Sequence, residues 1–279
     1  MHLPSRRYQA LGAGIVAGAV TARYIAKWRR RRSRRMGDQR EEPPPSGRYF
    51  IGLGLTDPSA ANRRPCEEAV IDPTMRCSFS QWDYDEEGAS IVPEAALGKS
   101  FVLAVGGPQG LAADAGATAR VSERLVNASP RSAYQPPADD RPCAGFMTGS
   151  AKLFYKLATG GSRFRLLGLN DLPAHEANLI EVFPYAAWRE LASEALPPKR
   201  SVEGRRHRAN LLQAQGVILP AELPTDDQLD AAVAAWLARC FDNDAVKLEG
   251  DAPVLDRKAG VIREGYIVQP RALEPATSA

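Results

Sequence analysis

At 279 residues, 44% hydrophobic and 25% charged, the chain has an ordinary globular make-up and enough length for a proper core. Its four cysteines (Cys66, Cys77, Cys143, Cys240) form no C-x-x-C pair and its three histidines (His2, His175, His207) are scattered, which argues against structural zinc, a disulfide framework and most histidine-based metal or triad schemes. The formal net charge of +3 is unevenly spread: the first 37 residues hold ten basic side chains and no acid, leaving 26 basic against 33 acidic residues from Asp38 onward. A body near −7 lacks the net positive charge that favours non-specific nucleic-acid binding.

Ala10 to Ala26 is apolar but short, rich in Ala and Gly, and interrupted by Thr21 and Arg23, a marginal membrane span. Two readings of residues 1–35 stand level. In one the segment is a weak single anchor, and the cluster Arg29 to Arg35 leaves the domain in the cytoplasm by the positive-inside rule. In the other, translation starts at Met36. An acid-free, Arg-rich start also resembles a transit peptide, whereas a cleaved signal peptide fits less well before a basic block. The stretch 36–47, with Pro43-Pro44-Pro45, reads as an extended linker.

The domain is expected over residues 48–270, followed by a disordered tail at 271–279. Tyr49 to Leu55 (YFIGLGL) reads as a buried strand, then a turn at Thr56-Asp57-Pro58-Ser59, a strand at Glu68 to Ile71 and another at Cys77 to Trp82. Phe101 to Val105 (FVLAV) has the all-apolar character of a central strand covered on both faces. Ala115 to Val126 has helical spacing, and Asn127 to Ser150, rich in Pro, Ser and Gly, predicts an irregular surface excursion. Ala177 to Phe183 is a buried strand ended by Pro184. Helices are expected at Ala186–Ala195, Val202–Gln215 and Asp226–Phe241, and a last strand at Gly265 to Val268. The helix from Asp226 carries the fullest signal: a capping box of Thr225 with Gln228, and a buried stripe of Leu229, Val233, Trp236 and Cys240. Three strands followed by alternating strands and helices predict an α/β fold, an antiparallel ribbon continued by parallel strands with flanking helices.

Three motifs in order, Glu181-Val182-Phe183-Pro184-Tyr185-Ala186-Ala187-Trp188, then Lys199 with Gly204 to Arg208, then Asp227-Gln228-Leu229-Asp230-Ala231-Ala232, resemble the predicted RNase H-like nucleases of the domain-of-unknown-function 429 type. The resemblance spans about Tyr49 to Pro270. It implies an RNase H-like mixed sheet on which acids from the first strand, a middle strand and a late helix hold Mg²⁺ or Mn²⁺ for phosphodiester hydrolysis, with hard oxygen ligands beside the attacking water and the leaving oxygen. The family's first strand reads like G-I-D-L and its second site like I-D-G-P. This chain has Gly52-Leu53-Gly54-Leu55 and Val105-Gly106-Gly107-Pro108, so Gly54 and Gly106 stand where acids are expected. What remains for a catalytic and metal-holding set is Glu181, Asp227 and Asp230. The implied function is a nuclease weakened or silenced by the two glycines. The alternative is a silent nucleic-acid-binding or protein-interaction module, tethered to a membrane only if the N-terminal segment is real.

Each site residue also has a plainer reading. Acids in a first helical turn are favoured by the helix dipole, which alone would account for Asp227 and Asp230. Glu181 lies in an apolar strand, where a metal, an arginine partner or a place at the open end of the sheet must offset its burial. Lys199, Arg205 and Arg208 are the residues that could meet substrate phosphates, though a solvated basic helix face explains them as simply. Asp57 reads as a turn residue, and the loop Gly106 to Gly110 is a weak anion cradle because Pro108 removes a donor.

Overall fold

The computed structural model describes residues 47–84, 90–161, 163–192 and 194–271. The chain divides into Met1–Pro44 and Pro45–Ala279, and only the second unit falls within the described residues. The N-terminal segment, nearly all of the linker and the tail beyond Arg271 therefore lie outside them. Among the described residues no helix is long and apolar enough to cross a membrane.

Four strands open the domain: β1 (Tyr49–Gly54), β2 (Cys66–Ile71), β3 (Cys77–Trp82) and β4 (Phe101–Gly106). After them come α1 (Val121–Leu125), α2 (Ala144–Thr159), β5 (Leu179–Val182), α3 (Pro184–Leu191), α4 (Val202–Ala214), α5 (Asp226–Asp242), β6 (Val246–Glu249), β7 (Val254–Asp256), β8 (Val261–Arg263) and β9 (Ile267–Pro270). A seven-stranded sheet runs β3-β2-β1-β4-β5-β9-β6, and β7 and β8 form a separate hairpin. The pairs β1–β2, β2–β3 and β6–β9 are antiparallel, whereas β1–β4, β4–β5 and β5–β9 are parallel. An antiparallel ribbon passing into parallel strands, with helices on both faces, is the expected mixed α/β fold, and it is consistent with an RNase H-like one. Central β4 has Phe101 to Val105 buried on both faces, as its unbroken apolar run requires.

Helix α5 covers one face. Its capping box forms as its sequence predicts, with Gln228 N donating to Thr225 Oγ1 at 3.1 Å and Thr225 N to Gln228 Oε1 at 3.0 Å. The expected stripe is buried, but so is every residue from Ala231 to Ala238. Its small residues let α5 lie almost on the sheet: a Cβ at Gly52 would stand 2.0 Å from Ala231 O and 2.4 Å from Ala235 N. The opposite face is covered by α2 and the β7–β8 hairpin, which bury Leu153, Phe154 and Ile262 against Ile51, Leu53, Leu103 and Val105. Gly145 and Gly149 of α2 admit the loop after β1, since a Cβ at either would meet Ser59 Oγ at 1.9 Å or Pro58 Cγ at 2.7 Å.

Two expectations need correcting. Of the helical spacing at Ala115–Val126 only Val121–Leu125 is helix, and the excursion from Asn127 ends at Ala144, where the sixteen-residue α2 begins. The short strands β6, β7 and β8 were not anticipated.

Glu68 of β2 is one of the buried acids of the core. It accepts one bond from Ser80 Oγ at 3.1 Å, and leaves Oε1 without a partner. Burial pushes its carboxyl up from 4.5 to about 7. Because the folded value is the higher one, the unfolded chain ionises first as pH rises, so stability falls between about 4.5 and 7 by on the order of 3 kcal/mol. Glu68→Gln should therefore gain stability over the parent between pH 5 and pH 8 in urea unfolding; an equal difference at both pH values would refute this. Gly52→Ala should cost about 2 kcal/mol or more, because backbone atoms of α5 cannot yield. Gly54→Ala, whose Cβ would meet nothing closer than 3.6 Å, should stay within about 1 kcal/mol of the parent.

Candidate functional site

The parallel strands β1, β4 and β5 end together, and a pocket of about 280 Å³ opens at their carboxyl ends. Strand register sets its floor, because Gly54 pairs with Gly106, and one row back Leu53 pairs with Val105 and Val105 with Glu181. Phe146, Pro130 and the segment Phe183 to Tyr185 give it apolar lining, and Lys199, Asp227 and Asp230 polar lining. Tyr185 is 62% exposed and its ring lies 5.9 Å from that of Phe183.

Glu181 meets an arginine. Arg120, fully buried, donates from Nη1 to Glu181 Oε2 at 2.7 Å and from Nη2 to Oε1 at 2.5 Å, and Gln109 N adds a bond to Oε2 at 2.9 Å. Arg120 Nε also reaches Glu123 Oε1 at 3.0 Å, while Glu123 Oε2 accepts from Arg120 N at 3.1 Å and Ser132 N at 2.7 Å. One guanidinium and three backbone N–H groups thus satisfy two buried carboxylates. Burial pushes the Glu181 carboxyl up, against the pull of Arg120 and the Gln109 N–H. For Arg120, burial alone would lower the guanidinium, but Glu181 and Glu123 raise it above its usual value.

Asp227 and Asp230 stand in the first turns of α5 beside Lys199. Asp230 Oδ1 accepts from Trp188 Nε1 at 2.7 Å and Oδ2 from Lys199 Nζ at 3.0 Å. The same ammonium lies 3.6 Å from Asp226 and 3.7 Å from Asp227, and Asp227 also meets Arg64 at 3.1 Å. Burial would lower the Lys199 ammonium, but Asp230, Asp227 and Asp226 raise it overall.

The residues expected to meet phosphate are occupied otherwise. Lys199 faces the aspartates. Arg208 is buried and gives Nη1 to Pro197 O at 3.1 Å and Gly204 O at 3.0 Å, with its guanidinium 5.9 Å from the Trp188 ring centre. Arg205 reaches Pro224 O at 3.3 Å. Neither Arg205 nor Arg208 lines the pocket, whereas Glu181, Asp227, Asp230 and Lys199 all do. Asp57 holds its own turn, accepting from Ser59 N at 2.8 Å and Ser59 Oγ at 2.7 Å. Sequence reasoning missed Arg120, Glu123 and the hydrogen-bonding role of Trp188. An arginine followed three residues later by a glutamate was the one available trace of the first two.

Mg²⁺ or Mn²⁺ needs free oxygen ligands. Both Glu181 oxygens are bound by Arg120, both Asp230 oxygens accept from N–H donors, and among the described residues no group of three or more His, Cys, Asp or Glu is placed to hold a metal. The side chains present do not fit the ion that the resemblance implies.

The sheet order and the pocket define a mixed α/β protein whose layout is consistent with the RNase H-like class. Residues 92–253 match the family model described as "Protein of unknown function (DUF429)", and the chain belongs to that family. The match includes Gly106, Glu181, Lys199, Asp227 and Asp230 and begins after β1. No curated protein and no solved structure matches the chain.

The Arg120–Glu181 pair sets a stability test. Arg120→Met should cost roughly 3–5 kcal/mol by leaving two carboxylates buried with no cation. Adding Glu181→Leu should recover part of that loss in urea unfolding. A single variant as stable as the parent would show that the pair does not anchor the pocket floor.

Proposed function

We propose that this chain is a silent relative of RNase H-like nucleases, a binding module that keeps the pocket and has lost metal-dependent phosphodiester hydrolysis. The observation that carries the reading is the register of the two glycines. Gly54 and Gly106 are lateral neighbours on adjacent parallel strands. If the resemblance holds at both positions, two acids at these points would face the same ion, and both charges are absent together. Losing one ligand weakens a metal site; losing two adjacent ones removes two of the negative charges that draw a hard cation out of water, from neighbouring points on the sheet.

Binding is supported by what the pocket retains, apolar and aromatic lining together with polar groups, the make-up of ligand and peptide sites. Between the two kinds of occupant, a protein segment is favoured over nucleic acid. The basic groups at hand, Lys199 and Arg120, are committed to carboxylates, and the body of the chain is acidic.

The test is a cleavage assay of the purified chain on labelled single-stranded, duplex and RNA–DNA hybrid substrates with Mg²⁺ or Mn²⁺, with Asp230→Asn alongside to expose contaminating nuclease. The expected outcome is no metal-dependent cutting by folded protein. Cutting that Asp230→Asn abolishes would overturn the reading. Anisotropy with the same substrates should show no tight metal-free binding; tight binding would replace the protein segment with nucleic acid as the occupant.

A further inference from the structure

The segment that carries Lys199 is fastened to α4 at several points. A Cβ at Gly204 would stand 2.0 Å from Pro198 O, so only glycine lets the segment lie this close. Ser201 Oγ accepts from Gly204 N at 2.9 Å and donates to Pro198 O at 2.8 Å, and Arg208 binds Pro197 O from below. These contacts fix the backbone on both sides of Lys199. Its ammonium is thereby delivered to Asp230 at 3.0 Å and to within 4 Å of Asp226 and Asp227. Trp188 Nε1 orients Asp230 from the other side. Arg120, which also lines the pocket, holds Glu181 through two parallel N–H···O bonds.

Every carboxylate that the resemblance leaves for a metal is therefore matched by a side-chain cation set in place by the fold. We propose that Lys199 and Arg120 are resident cations that take the electrostatic place of a divalent metal here, and that Lys199 is what keeps the α5 aspartates closed to such ions. The inference rests on the non-hydrolytic reading and deepens it: the pocket is charge-balanced from within, so its structure should be indifferent to divalent ions and chelators. An ammonium supplies one charge and up to three directed N–H bonds, enough to hold neighbouring carboxylates together, but no Lewis-acid centre and no bound water to ionise.

The experiment is a Mn²⁺ titration of the full chain followed by electron paramagnetic resonance, with thermal unfolding at constant ionic strength in Mn²⁺, Mg²⁺ and EDTA. The parent is expected to take up no Mn²⁺ and to show the same Tm in all three. Lys199→Met, checked for folding by circular dichroism, should bind Mn²⁺ at least about tenfold more tightly than the parent and gain Tm with it, because three aspartates lose their shared cation. Lys199→Arg, which keeps the charge, should behave as the parent does. Stoichiometric Mn²⁺ uptake by the parent would overturn the inference whatever the variants do, and so would a folded Lys199→Met that binds none. The two proposals fail separately: uptake without cleavage sinks the resident-cation inference alone, whereas cleavage sinks the silent reading.

Discussion

The approach of α5 to β1 sets the geometry on which the pocket depends. At Gly52 the helix backbone lies where a side chain would begin, and the alanines at 231, 234, 235 and 238 leave no bulk to hold it off. A helix this close cannot slide or tilt without driving backbone into backbone. Its first turns are therefore fixed over the carboxyl end of β1, and Asp227 O lies 3.6 Å from where a Cβ of Gly54 would be. The capping box contributes locally by starting the helix after Thr225, so that Asp227 and Asp230 line the pocket.

Given that placement, the electrostatic problem is how acids crowded at one end of a sheet are tolerated. On the floor, where water is excluded, the answer is a two-pronged ion pair supplemented by backbone N–H groups. An isolated carboxylate there would be strongly disfavoured, and only good geometry repays the desolvation of both charges. At the mouth, where water remains, a lysine shared among three aspartates is joined by Arg64 on Asp227 and by the dipole of α5. The two solutions match the two degrees of burial. They also mean that the floor is a matter of folding, whereas the mouth is a matter of charge.

Much of this could be read from the chain alone, for identifiable reasons. The central strand Phe101 to Val105 and helix α5 announce themselves because burial on both faces and a capped apolar stripe leave strong local signatures. Helix α2 left none: Cys143, which precedes it, has a left-handed φ of 63° and no capping side chain, and Gly145 and Gly149 look like loop residues until the loop they accommodate is seen. The strands β6 to β8 are too short for alternation to show. Glu181 was legible as a residue in need of a partner, with an arginine among the candidates, but nothing local names Arg120, which lies 61 residues earlier. Partners across strands are set by topology, and a single sequence does not contain them. Asp230 and Lys199, by contrast, were both marked out by the same resemblance, although as metal ligand and phosphate contact rather than as a pair.

Gly52 and Gly54 sharpen the distinction between what packing demands and what chemistry leaves behind. They lie two residues apart on one strand and face the same helix. At Gly52 any side chain would collide with backbone at 2.0 Å, so glycine there is a requirement of the fold. At Gly54 the nearest atoms are at 3.6 Å, and at Gly106 a Cβ would stand 3.3 Å from the Pro184 ring and 3.4 Å from Leu53 O. A side chain fits the first of these two and nearly fits the second. Packing therefore does not explain why both are glycine. The carboxylates that remain are met by Arg120 at Glu181, by Lys199 at Asp230, and by Lys199 with Arg64 at Asp227.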